Sequence, residues 1–170
     1  MEFIPITYAE DDRVQEIYNS YISTFPVDEQ RGQKQFMDLF SNPKARVMSV
    51  VHENENIGYL IVWTLSSFIF VEHFEVFEAF RSKKLGSHII SHLLESYPNI
   101  ILEIEPADLG GDAERRYSFY QRNNFSLIDT THVQPSYGEG KKSLNLWLLS
   151  NYTPENVDAI KEEICDTVYL

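Results

Sequence analysis

The chain has 170 residues, the size of one ordinary domain and long enough to bury a core. Its apolar fraction of 43% and charged fraction of 24% exclude a disordered or fibrous protein. A formal charge of −12 argues against a nucleic-acid partner, because such a surface repels phosphate backbones; it suits solubility and mildly attracts cations.

In chain order, residues 3–7 (FIPIT) read as a short strand, with Pro5 favouring an edge. Val14, Ile17, Tyr18, Tyr21, Ile22 and Phe25 then fall on one helical stripe, which Pro26 stops. Asp28 reads as the cap of a second helix ending near Phe40. RVMSVVHE, IGYLIVWTL and FIFVEHFEVF, separated by the turns ENEN and SS, predict an antiparallel meander. From Lys84 to Tyr97 the period becomes 3.6, with Leu85, Ile89, Ile90, Leu93 and Leu94 on one face and Pro98 at the end. NIILEIEP is a mostly apolar strand, and a helix follows from about Asp112 to Asn123. FSLID and SLNLWLL are the last strands, joined by a loop THVQPSYGEGKK; Thr153-Pro154 precedes a terminal helix. The expected fold is α+β, a single domain over 1–170 with one mixed, mostly antiparallel sheet flanked by helices on both faces.

Cys165 is the only cysteine, so neither a disulfide within the chain nor a thiolate metal site is expected. His88, His92 and Glu95 share a helical face at a spacing that suits a metal, but that face is simply the polar side of an amphipathic helix, and no metal is expected. MEFIPITYAEDDR is acidic and has no apolar centre, and no apolar run reaches the roughly 18 residues of a membrane span. A cytoplasmic protein that binds neither membrane nor nucleic acid is expected.

Chemistry concentrates where VEHFEVF runs through a basic turn into the 84–97 helix. A strand-to-helix junction aims unpaired N–H groups and the positive end of the helix dipole at one spot, a ready pyrophosphate site. Arg81, Lys83 and Lys84 add positive charge, and Gly86 allows close backbone approach. The plainer reading, a turn with surface lysines, stands beside this one.

Arg81-Ser82-Lys83-Lys84-Leu85-Gly86 resembles the motif Q/R-x-x-G-x-G/A of the GNAT superfamily of N-acetyltransferases, with Lys84 in place of the middle glycine. FYQRNNF, residues 119–125, is similar to that family's F-Y-x-x-x-G-F, with Asn124 in place of glycine, the non-glycine residue that best tolerates a left-handed helix end. The resemblance extends to the order of elements and is strongest over residues 68–149. It implies acetyl-CoA as donor, its pyrophosphate on Arg81, Ser82, Lys83, Lys84, Leu85, Gly86 and Ser87, and its pantetheine along the strand at Val76. It further implies direct transfer to an amine, with Tyr120 as the general acid for the leaving thiolate.

For the general base, strand alternation puts Glu72 on one face with Phe70, Phe74 and Val76, where aromatic neighbours would raise its pKa; an exposed strand-end charge is the equal alternative. By the same alternation His73 points to the opposite face. Glu75 and Glu78 are weaker candidates, and Glu103 and Glu105 share a face that suits an acceptor pocket. The acidic balance points to a small cationic primary amine as acceptor, and a homodimer is left open. The alternative is a CoA-binding or protein-interaction domain of this fold without transferase activity.

Overall fold

The computed structural model describes residues 1–170. Seven strands and five α-helices follow one another in the order β1 (Glu2–Ile6), α1 (Asp12–Thr24), α2 (Gln33–Asp38), β2 (Ala45–His52), β3 (Glu55–Thr64), β4 (Ile69–Val76), α3 (Leu85–Ser96), β5 (Ile100–Ile104), α4 (Asp112–Arg122), β6 (Ser126–Gln134), β7 (Leu144–Ser150) and α5 (Val157–Ile164). The element order and the mixed sheet are those the sequence predicts.

Local chemistry explains most boundaries. The Asp11 side chain accepts the Arg13 N–H and opens α1, which buries Val14, Ile17 and Tyr21 and stops before Pro26. The β2–β3 hairpin turns through Glu53 and Asn54, both at positive φ, as a two-residue loop of the primed type requires. Three boundaries differ from expectation. Asp28 does not cap a helix: Val27–Glu29 is a single 3-10 turn, and α2 starts after Gly32. β6 runs on to Gln134, so the first four residues of the expected loop are strand. The terminal helix is capped by Asn156 rather than by Thr153-Pro154, and it ends in a π-turn over Cys165–Tyr169.

The sheet order is β1-β2-β3-β4-β5-β7-β6, antiparallel throughout except for β4 and β5. That parallel pair needs a crossover, and α3 supplies it. One apolar layer joins α1, α2 and α5 to the first face of the sheet, through Ile17, Tyr21, Phe36, Ile160 and Ile164. A second joins α3 and α4 to the other face, through Ile89, Ile90, Leu93 and Tyr120. Burying each of Ile89, Ile90 and Leu93 contributes about 1.5–3 kcal/mol, enough to seat α3 firmly. No helix is long and apolar enough to cross a membrane.

Two features of β4 shape the surface beside it. Ile61 pairs with His73 and Val62 with Val71, so Glu72 is an extra residue without a partner on β3, a β-bulge. On its other side β4 pairs with β5 only from Ile69–Ile100 to Val71–Leu102, after which the two strands part.

Candidate functional site

The parting of β4 and β5 opens a cleft of about 1080 Å³. Its walls include Val71 to Val76 of β4, Leu102 to Glu105, the turn leading into α3, and Arg116, Phe119 and Tyr120 of α4. Thr24, Phe25 and Glu29 close it from the α1 side.

At the basic end the chain turns at Glu78–Phe80 and enters α3 with Ser82 and Lys84 both at positive φ. Lys84 has φ 60 and ψ 9, left-handed, at the place where the resemblance expects glycine. The N–H groups from Ser82 through Ser87 find no acceptor within the chain, so a run of donors lies open at a helix N-terminus. The cations are not equivalent. Arg81 is tied back to β4, donating from Nε to the Val76 carbonyl at 2.9 Å and from Nη2 to Glu75 at 3.2 Å. Lys83 lies over the Phe80 ring, and Lys84 is exposed without an ion-pair partner.

Gly86 serves a purpose the sequence does not reveal. A Cβ there would meet the Phe119 ring at 3.3 Å, so a larger residue would press on α4 as well as on any ligand. Val76 also differs from expectation. Phe77 donates to Ile57 on β3, so by alternation Val76 turns both backbone groups to the cleft, where Arg81 already occupies the carbonyl and the N–H is left over.

Tyr120 stands midway along the cleft, packed between Phe119 and Phe125 at ring distances of 5.2 and 5.7 Å. Its hydroxyl makes no hydrogen bond within the chain, and burial, slightly offset by Arg116, pushes its pKa up to about 12. The turn that follows α4 places Asn124 at φ 67, the left-handed conformation expected of it.

The acidic end overturns the reading of Glu72. The bulge puts Glu72 and His73 on the same face, toward α1, while Phe74 and Val76 pack on the α3 side. Glu72 accepts from Arg31 Nε at 2.9 Å, Trp63 Nε1 at 2.7 Å and Tyr137 at 2.5 Å. Its side chain is fully buried. Burial alone would raise its pKa, but Arg31, His73 and the hydrogen bonds outweigh that, and the shift is down. A depressed, fully partnered carboxylate is a poor proton acceptor.

Arg31 itself donates to the Val168 carbonyl at 2.8 Å and lies over the Trp63 and Tyr137 rings. Glu103 accepts from His132 at 2.9 Å and from Tyr169. Arg31, Tyr137, His132 and Tyr169 come from four separate segments, and nothing in their spacing announces them.

His73 is wedged against Tyr21 and Phe25, its pKa lowered to about 4 chiefly by burial, so it is neutral near pH 7. Glu75 is held by Ser20, Thr24 and Arg81 on one oxygen, with the other buried and unpaired. Glu78 is exposed on the turn and does not line the cleft. Glu103 and Glu105 do line it, as their alternation predicts, with Glu105 3.2 Å from Arg116. Glu29 joins them from the 3-10 turn, unforeseen, because a lone carboxylate in a loop carries no pattern. His88 is exposed, while His92 lies 3.5 Å from Glu95 and against the Phe3 ring.

Comparison with known proteins gives a consistent result. Residues 14–125 match the family model described as Acetyltransferase (GNAT) family. A GNAT-family protein from Bacteroides thetaiotaomicron is 26% identical, covers 99% of this chain and 98% of its own, and superposes with a TM-score of 0.93. An acetyltransferase of Elizabethkingia anophelis with acetyl-CoA bound has 12% identity and a TM-score of 0.61 over 89% of this chain and 97% of its own. A Bacillus subtilis acetyltransferase in complex with CoA has 13% identity and a TM-score of 0.60 over 90% of this chain and all of its own. No curated protein matches the sequence.

Proposed function

The chain belongs to the acetyltransferase (GNAT) family, and within it we propose that it moves the acetyl group of acetyl-CoA to the primary amine of a small cationic molecule, by direct attack in a ternary complex. One observation carries this reading: a single cleft joins an open run of N–H donors, an unbonded tyrosine hydroxyl and an acidic end. The two similar folds with acetyl-CoA or CoA bound support the choice of donor.

The donor's pyrophosphate fits the Ser82–Ser87 backbone, where the helix dipole and the free lysines Lys83 and Lys84 favour negative charge. Arg81 contributes less as a free cation than as a strut that ties the turn to β4. The Val76 N–H, left without a strand partner, suits an amide oxygen of the pantetheine arm. Lys84 leaves the backbone donors open, because its side chain stands in solvent.

As the C–N bond forms and the C–S bond breaks, the sulfur gains negative charge and needs a proton. Tyr120 is placed to supply it: its unbonded hydroxyl lines the cleft, and a pKa raised to about 12 keeps it protonated at neutral pH. The acidic end, in a chain of net charge −12, favours a cationic acceptor.

Three measurements test this. Calorimetric titration with acetyl-CoA should show binding at cytosolic concentrations, and a panel of di- and polyamines, aminoglycosides, amino acids and peptides should show CoA release with small cationic amines foremost. Tyr120→Phe should lower kcat by roughly 10²-fold with acetyl-CoA affinity unchanged. A preference for neutral or anionic acceptors would remove the cationic reading. An unchanged kcat in Tyr120→Phe would leave the ring only its packing role.

A further inference from the structure

We propose that Glu29 is the general base of the transfer, accepting the proton that the incoming ammonium must lose before it can attack; this rests on the reading of the cleft as an acetyl-transfer site. Six carboxylates line the cleft: Glu29, Glu72, Glu75, Glu103, Glu105 and Asp112. Five are already engaged. Glu72 is held by Arg31, Trp63 and Tyr137, and Glu75 by Ser20, Thr24 and Arg81. Glu103 is held by His132 and Tyr169, Glu105 by Arg116 and Asp112 by Arg115. The Glu29 carboxylate makes no hydrogen bond and no ion pair within the chain, so both its oxygens are free to meet an amine.

Its backbone, by contrast, is pinned from both sides. The Glu29 N–H donates to the Pro26 carbonyl at 2.9 Å, and Gln134 donates to the Asp28 carbonyl at 3.1 Å. The Asp28 carboxylate accepts the Lys142 N–H at 2.9 Å, and the Gln30 side chain donates to the carbonyls of Ile22 and Phe25. Lys141 donates to the Gln30 carbonyl, and Arg31 is locked to Glu72. A free carboxylate on a fixed backbone is the arrangement that positions a proton acceptor without holding its proton in place by other bonds.

The charged surroundings suit the role. Glu105 and Glu103 face Glu29 from β5 and the segment beyond it, Arg116 faces it from α4, and His73 of β4 lines the same cleft and is neutral. Burial first, then Glu105 and Glu103 against the opposing Arg116, raise its pKa to about 7. A base poised there is about half ionised at neutral pH and basic enough to compete for an ammonium proton.

The protons balance. R–NH₃⁺ gives one proton to Glu29 and becomes R–NH₂. Its nitrogen bonds the thioester carbon, the C–S bond breaks, and Tyr120 protonates the departing sulfur, while one of the two protons on the newly bonded nitrogen restores Tyr120 and the other stays as the amide N–H. Glu29, half-buried at the cleft wall, returns its proton to solvent.

The test uses the full chain and whichever amine of the panel above the wild type turns over fastest. The wild-type kcat/KM should fall as pH drops through about 7. Glu29→Gln should lower kcat by roughly 10²–10⁴-fold and abolish that limb, with acetyl-CoA affinity kept. Glu29→Asp should retain the limb at reduced rate, and Glu105→Gln should move it to lower pH by removing the negative charge that holds Glu29 up. Wild-type turnover with an unaltered limb in Glu29→Gln overturns the assignment alone. No wild-type turnover on any amine overturns the reading beneath it.

Discussion

At Lys84 a long cationic side chain occupies a backbone conformation that glycine adopts without cost. A left-handed residue with a Cβ costs roughly 1–2 kcal/mol, and Lys84 bears it at φ 60 without a side-chain bond to offset it. Lys84→Gly should therefore be more stable than Lys84→Ala by about 1 kcal/mol or less, after allowing for the greater freedom of glycine in the unfolded chain. Denaturant unfolding of the two variants measures the difference, and equal stabilities would deny the left-handed turn. The sequence exposes this site because the resemblance marks the missing glycine. Gly58 has no such marker, yet its β-carbon would stand 2.1 Å from the Glu75 carbonyl oxygen, a close approach that only the β3–β4 pairing creates.

At the scale of the element, β4 decides the chemistry, and its bulge is where alternation fails. A strict period of two separates Glu72 from His73, and one unpaired residue brings them to the same face with Nε2 and Oε1 3.7 Å apart. Glu72 thereby becomes the acceptor for a buried arginine instead of a cleft base. Glu72→Gln should leave Arg31 charged and uncompensated at a cost of about 3–5 kcal/mol, seen as a lower urea midpoint. The fraction that remains folded should keep the pH limb assigned to Glu29. A folded, stable Glu72→Gln enzyme that loses that limb would restore the catalytic reading of Glu72. The α1–α2 connection shows the same limit of pattern reading. Asp28 looks like a helix cap in sequence, but its carboxylate instead takes the Lys142 N–H of the β6–β7 loop, a partner 114 residues away.

For the whole molecule, acid stability is set by opposing groups. His73 is buried neutral, with its pKa lowered from 6.5 to about 4. Its contribution is full above 6.5 and is lost as pH falls to about 4, by up to roughly 3 kcal/mol. Glu72, with a depressed pKa, adds a further loss below about 4.5. Glu29 has the opposite sign: its pKa is raised from 4.5 to about 7, so the stability it gives at low pH is lost as pH rises through 7. Between pH 7 and 4.5 the two largely cancel. Thermal melts across that range should show His73→Gln gaining stability on acidification relative to the wild type, and Glu29→Gln losing more. Parallel curves for all three proteins would deny both environments.

What the sequence by itself determined is the order of strands and helices, the layered α+β architecture, the basic turn before α3 and the F-Y motif of α4. The elements and the turn follow from hydrophobic periodicity, from proline and capping punctuation, and from donors confined to one short segment, all of which act between near neighbours in the chain, while the F-Y motif was legible only through the family resemblance. Only the tertiary structure decided which carboxylate is free. Glu72 is claimed by Arg31 from α1–α2 and Tyr137 from β6–β7, and Glu103 by His132 and Tyr169, contacts spanning 29 to 66 residues. A proton acceptor in a cleft crowded with acids is defined by the partners it lacks, and that depends on which distant segments the folded sheet brings against each carboxylate.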